Sequence, residues 1–177
     1  MLEITNNKVM LRGNLQTDMS FYEEREGKKI YKGTVAVKSL KRRIEDEINI
    51  LVSEEILLEK QKDDKKIEII GEIELDKGKC NVFVKKMHYL KEEYEPDANF
   101  IFLEAYIMQK ANKKGKNAIL TIALSPEGAT YIKCRCSKRI SERVSGFQVG
   151  RKVTIDGKII SKRKNKKLIN EIVVYQI

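Results

Sequence analysis

The sequence repeats itself at long period. Lys65-Lys-Ile-Glu-Ile-Ile-Gly-Glu-Ile73 returns as Arg151-Lys-Val-Thr-Ile-Asp-Gly-Lys-Ile159, in the same order and with the same apolar alternation. Gly71 and Gly157 stand 86 residues apart, Ser39 and Ser125 keep that spacing, and Ser53 and Ser137 are 84 apart. Solenoid units recur every 20–50 residues, so a repeat of this length is one small domain per copy. The fold must therefore be one that fits about 90 residues and tolerates tandem duplication.

With 177 residues the chain divides into a first domain over 1–95 and a second over 96–177, with residues 91–98, including Pro96, as the linker. An apolar share of 41% suffices for two modest cores and excludes a disordered chain. No apolar run approaches the roughly 20 residues needed to span a bilayer, and Met1 leads on without a signal-type apolar region. The expectation is a cytoplasmic, nucleoid-associated protein. Three cysteines, Cys80, Cys134 and Cys136, are too few and too irregular for a disulfide framework.

Charge separates the copies. Residues 1–95 carry 19 Lys+Arg against 20 Asp+Glu, and residues 96–177 carry 17 against 6, so the whole excess of +10 resides in the second copy. Such asymmetry points to a polyanion. A membrane surface would call for a basic amphipathic helix, and the basic residues here fall on strand and hairpin patterns, so no membrane partner is expected.

Period-2 alternation with β-branched residues predicts five strands in the first copy: Val9–Leu15, Tyr31–Ser39, Ile48–Val52, Lys66–Ile73 and Asn81–Met87. A helical stretch, Ser53–Lys60, falls between the third and fourth. The second copy follows the same plan: Ile101–Gln109, Ala118–Ser125, Thr130–Cys136, a helix over Lys138–Ser145, then Arg151–Ser161 and Leu168–Tyr175. Five strands with one short helix between strands 3 and 4 is the order of the OB-fold, a Greek-key barrel that binds oligonucleotides over strands 2–3 and nearby loops. The expected class is all-β, two tandem OB-folds.

The stretch Ser137-Lys-Arg-Ile-Ser-Glu-Arg-Val, continuing as Phe147-Gln-Val-Gly-Arg-Lys-Val-Thr-Ile-Asp-Gly-Lys-Ile-Ile-Ser-Lys-Arg163, resembles bacterial single-stranded DNA-binding proteins. Asn7-Lys-Val-Met-Leu-Arg-Gly13 and Gly33-Thr-Val-Ala-Val-Lys-Ser39 resemble the opening of the same family, in the tandem-OB form of Gram-positive anaerobes. The resemblance implies non-catalytic binding of single-stranded DNA in replication, recombination or repair, and a homodimer presenting four OB-folds. The family's stacking aromatics are not carried over: the chain has no Trp, and a hairpin position often aromatic is Lys164. Nor is the family's acidic tail, since these residues end in the strand Ile172–Ile177.

In Tyr131-Ile-Lys-Cys-Arg-Cys136, alternation puts Ile132, Cys134 and Cys136 on one face and Tyr131, Lys133 and Arg135 on the other. An aromatic with two cations suits a single strand, the ring stacking on bases and the cations neutralising phosphates. Two basic loops flank it, one with Lys110, Lys113, Lys114 and Lys116, the other with Lys162, Arg163, Lys164, Lys166 and Lys167. The corresponding strand of the first copy offers Glu47, Asn49 and Leu51, a poor phosphate groove, with Leu51 read as an outward residue at a subunit contact. Phe21, Tyr22, Tyr31, Lys41, Arg42 and Arg43 form a secondary nucleic-acid candidate among acidic neighbours.

Cys134 and Cys136 without a second Cys/His pair do not build a zinc site, and read as buried thiols. His88 is the single histidine, no nucleophile motif accompanies it, and no phosphate-cradling glycine loop occurs, so neither enzyme activity nor a cofactor or metal is expected. Two alternatives stay open: an RNA-binding module, since a basic OB groove does not exclude the 2′-hydroxyl, and a protein adaptor in a primosome-like or mobile-element assembly.

Overall fold

A computed structural model describes residues 6–39, 44–57, 66–76, 79–90, 96–128 and 130–177. The chain forms two compact units, one of Val9–Glu74 with Asn81–Asn99, the other of Met1–Lys8, Leu75–Cys80 and Phe100–Ile177. Each is built around a closed five-strand ladder in the order 1-2-3-5-4-1, which is the OB topology.

In the first barrel the ladder runs through β1 (Asn7–Leu15), β3 (Lys28–Lys38), β4 (Glu45–Ser53), β6 (Lys79–Tyr89) and β5 (Lys66–Asp76). β5 returns to β1 through Val9↔Gly71 to Asn14↔Lys66, and Asn14↔Ala36 and Leu15↔Val35 join β1 to β3. β4 and β6 are parallel, through Ile50↔Val82 and Leu51↔Phe83. Inward alternation fills the interior with Val9, Leu11, Val35, Ile48, Ile50, Ile67, Ile69, Val82 and Val84.

The second barrel repeats this circuit with β7 (Ala98–Lys114), β8 (Asn117–Ala123), β9 (Tyr131–Cys136), β11 (Lys167–Gln176) and β10 (Lys152–Lys164). β7 spans 17 residues because it serves two neighbours: its first part pairs with β10 and its second with β8. β9 and β11 are parallel, through Ile172↔Cys134 to Val174↔Cys136. Helix α1 (Lys138–Val144) buries Ile140, Ser141 and Val144 against the barrel.

The glycines that mark the repeat now have a physical reason. A Cβ at Gly71 would run into the Phe83 carbonyl oxygen, and a Cβ at Gly157 into the Val173 carbonyl oxygen. Strand 4 of each barrel thus presses its backbone onto strand 5 where only hydrogen fits. At Gly157 the β10–β11 register also shifts, which lets β10 turn from β7 toward β11.

Several expectations change in detail. A further strand, β2 (Ser20–Arg25), forms a hairpin with β3 in the first unit. The helix expected over 53–60 shows only one turn, with Ile56 and Leu57 N–H donating to the Ser53 carbonyl at 3.0 and 3.1 Å, and residues 58–65 lie outside the described residues. Leu51, read as outward and exposed, is fully buried. It lies in a run, Ile50 to Ser53, in which both faces of β4 are covered.

All three thiols are buried and free. Burial raises Cys80 to about 12 and Cys136 to about 11, and burial first, then the neighbouring Cys136, pushes Cys134 well above its ordinary value.

Two outcomes follow. Gly157→Ala forces the β10–β11 backbones apart and should lower stability by about 1–3 kcal/mol, read as a lower denaturant midpoint with an unchanged slope. The raised thiols remain protonated in the native state and deprotonate first in the unfolded one. Stability should therefore hold up to an alkaline pH near the unfolded thiol value of about 9 and fall above it, as urea midpoints across pH 7–11 would record.

Candidate nucleic-acid interface

β9 carries the alternation expected of it. Ile132, Cys134 and Cys136 are in the core, Tyr131 is 54% exposed, Lys133 is exposed and Arg135 half-buried. Antiparallel pairing sets Tyr131 beside Ala123, Lys133 beside Thr121 and Arg135 beside Ile119 on β8. The face is therefore a strip with small or apolar neighbours and a cationic row.

The row is not bare. Glu171, on β11, accepts from Arg135 Nη2 at 2.9 Å and from Lys162 Nζ at 2.7 Å. One carboxylate thus partly neutralises two predicted contact residues, leaving Lys133 without an ion-pair partner among the described residues. Sequence reasoning missed Glu171 because its nearness to Arg135 depends on the parallel β9–β11 register, which no local pattern encodes.

The basic segments are stiffer than loops. β7 continues to Lys114, pairing Lys113↔Ala118 and Lys114↔Asn117, so Lys110, Lys113 and Lys114 are strand residues and only Gly115 and Lys116 turn. The Lys116 carbonyl accepts from Ser141 Oγ of α1 at 3.4 Å. β10 likewise reaches Lys164, which pairs with Lys167 around a two-residue turn. Asn165 and Lys166 take φ of 50° and 64°, the left-handed pair a tight hairpin requires. All these lysines, Lys162 apart, are exposed, as is Arg163.

The two hairpins do not meet. Ala118 pairs with Cys136, so the β7–β8 tip lies at the C-terminal end of β9. Ile172 pairs with Cys134 in parallel, so the β10–β11 tip lies toward its N-terminal end. They bracket a strand of six residues, about 20 Å long.

In the first unit the corresponding surface is arranged differently. Phe21 and Tyr31 pair across the β2–β3 hairpin with rings edge-to-face at 6.4 Å, and Phe21 is exposed. Lys32 sits 5.6 Å from the Tyr22 ring centre. Arg25, near the hairpin tip, donates two bonds of 2.7 Å to Glu74, donates also to Glu23, and lies 5.8 Å from the Phe83 ring. Those carboxylates hold its guanidinium above its already high ordinary value. The hairpin is thereby tied to β5 and β6. Lys41, Arg42 and Arg43 lie outside the described residues. Elsewhere in this unit Arg12 pairs with Glu68, Lys66 with Asp97, Lys28 with Glu55 and Lys85 with Glu72, so these cations are engaged by the unit's own carboxylates.

Among the described residues no group of three His, Cys, Asp or Glu could hold a metal ion, and no helix is long and apolar enough to cross a membrane.

No family model matches the sequence, and no curated protein matches it. Solved structures do. The single-stranded DNA-binding protein from Thermus aquaticus aligns with a TM-score of 0.72 at 15% identity, over 96% of this chain and 90% of that one. A deletion mutant of that protein aligns with the same score at 16% identity, over 96% and 92%. The N-terminal domain of PriB from Thermoanaerobacter tencongensis overlaps 49% of this chain and 99% of its own, at 22% identity and a TM-score of 0.44. The Thermus likeness runs through both barrels, and this chain accordingly shares its tandem OB-fold with that protein.

Proposed function

We propose that this chain binds single-stranded DNA without catalysis and with weak sequence preference, protecting exposed strands in replication, recombination or repair. The observation that carries this reading is the outer face of β9, where exposed Tyr131 and Lys133 stand between two lysine-rich hairpins. It belongs to a segment, residues 100–177, with 17 Lys+Arg against 5 Asp+Glu. The Thermus aquaticus protein that shares the fold is itself a single-stranded DNA-binding protein.

Each part has a physical role. Tyr131 offers a ring to successive bases, with no demand on which base stacks. Lys133 and the hairpin lysines neutralise phosphates and release counterions. Backbone contacts of this kind position a strand without reading it. In this reading residues 96–177 supply the main groove, and residues 1–95, near-neutral and internally paired, contribute a lesser contact around Phe21 and Tyr31.

The protein acts as a homodimer with four OB-folds. Support comes from the outer face of β7, β10 and β11, where Phe100, Phe102 and Tyr175 are 60%, 42% and 50% exposed. Phe102 stands opposite Asp156, and Lys158, two residues further along β10 on the same face, sits 5.7 Å from the Tyr175 ring, so the rings share one face. Aromatic exposure on this scale marks an interface.

Titration of labelled oligo-dT of about 35 nucleotides, against matched duplex and RNA at two salt concentrations, tests the ligand. Single-strand binding should exceed duplex binding and weaken with salt by about 0.7 log unit per log unit for each phosphate contacted. Tyr131→Ala should lose about 1–3 kcal/mol, and Lys133→Ala should lower the salt slope by about 0.7. Equal affinity for duplex would reject the reading, and preference for RNA would reassign the ligand. For assembly, light scattering should give twice the 20.5 kDa chain mass, and Phe102→Glu should return it to the monomer mass.

A further inference from the structure

We propose that the nucleic-acid path does not stop at the β9 groove but continues onto the helix pole of the second barrel, where α1 supplies a second phosphate-binding surface. The inference rests on the single-strand reading above and extends the bound length beyond the groove.

Chain connectivity makes the surface continuous with the groove. β9 ends at Cys136, Ser137 follows, and α1 begins at Lys138. The β7–β8 tip arrives at the same place, its Lys116 carbonyl held by Ser141 Oγ, and Ser141 Oγ also donates to the Lys138 carbonyl at 2.8 Å. A strand leaving β9 at Arg135 therefore meets exposed Lys116, Lys138 and Arg139 without crossing an acidic residue of these elements.

Helical spacing decides what comes next. Ile140, Ser141 and Val144 face the core, which leaves Lys138, Arg139, Glu142 and Arg143 outward. Arg139 and Arg143 are four residues apart and share one stripe. Past the helix, Arg151 lies with its guanidinium carbon 4.3 Å from the Phe147 ring centre. Phe147 is buried, so the ring holds that planar cation against the barrel while it remains exposed. The stack fixes an arginine at the far end of the track.

The pole differs from the groove in having, among the described residues, no carboxylate already bonded to its cations. In the groove Arg135 and Lys162 share Glu171. The segments that carry Lys116, Lys138, Arg139, Arg143 and Arg151, residues 110–118 and 137–151, hold one acidic residue, Glu142, and none of the five cations forms an ion pair among the described residues. Five exposed cations on a hairpin, a helix and a stacked ring are free of bonded carboxylates, as a backbone-tracking surface requires. The helix adds seven residues, about 10 Å, to the path.

The test separates oligonucleotide lengths. Full-length protein with Lys138→Gln, Arg139→Gln and Arg143→Gln is compared with the unsubstituted chain on oligo-dT of about 8 and about 35 nucleotides, lengths on either side of a typical OB site. All three side chains are solvated, so the melting temperature should stay unchanged. Affinity for the long oligonucleotide should fall about tenfold and its salt slope by about 2, while affinity for the short one changes less than twofold. Arg151→Gln, which leaves α1 intact, should show the same length dependence at smaller size. An equal loss on both lengths, or no loss on the long one, overturns the proposal. Failure of the unsubstituted protein to prefer single strand over duplex would instead refute the underlying reading, and appears before any substitution is made.

Discussion

Everything in this molecule depends on barrel closure through a strand that serves two neighbours. β7 gives Ile101 to Tyr106 to β10 and Tyr106 to Lys114 to β8, and in the first barrel β1 divides itself between β5 and β3. Closure satisfies the ladder on every side and leaves no ladder edge to protect in the five-strand circuit. It also demands a sharp change of direction in a small radius. The glycines at 71 and 157 meet that demand by letting strand 4 lie against a carbonyl of strand 5, which is why they survive as the clearest signature of duplication. Once closed, a barrel of this size is filled by its own side chains, so the surfaces left for a ligand are outside, at strand faces and hairpins.

On that common frame the two copies distribute charge in opposite ways. The first unit pairs several of its cations with its own carboxylates: Arg12 with Glu68, Arg25 with Glu74, Lys66 with Asp97. Each pair is modest in energy at a solvated surface, and residues 1–95 carry 19 Lys+Arg against 20 Asp+Glu, so their net charge is close to zero. The second copy has few acids to do this. Its ion pairs concentrate on Glu171 and on Glu104 with Lys152, and the remaining field extends outward. One fold thus carries a near-neutral surface in one copy and a strongly basic one in the other, with 20 Asp+Glu over residues 1–95 against 6 over 96–177.

Much of this was legible in the sequence because burial on one face imposes alternation. Tyr131–Cys136 could be oriented correctly from its period, and the repeated Ile-x-Gly-x-Ile core carried the topology twice. What escaped had no periodic trace. β2 is an added hairpin strand whose residues, Phe21-Tyr22-Glu23-Glu24, do not alternate because neither face is buried deeply. The lysine runs at 110–116 and 161–167 read as loops from composition, but their backbones follow the ladder started by the apolar residues before them. Leu51 broke the expected pattern because burial of both faces of β4 is a tertiary event. Glu171 was invisible for the same reason: partners brought together by a parallel register share no local spacing.

Glu171 also bears on how such a groove behaves. It is an anion already seated among the cations that an incoming phosphate would use, bonded to Arg135 and Lys162 at once. A phosphate arriving there exchanges one negative partner for another, so the gain is a difference between two similar interactions instead of a whole one. The vacated carboxylate stays within reach and can retake both cations as the strand moves. If the groove takes a single strand as proposed, such a resident competitor would hold it loosely at that point, favouring movement along the strand over permanent capture.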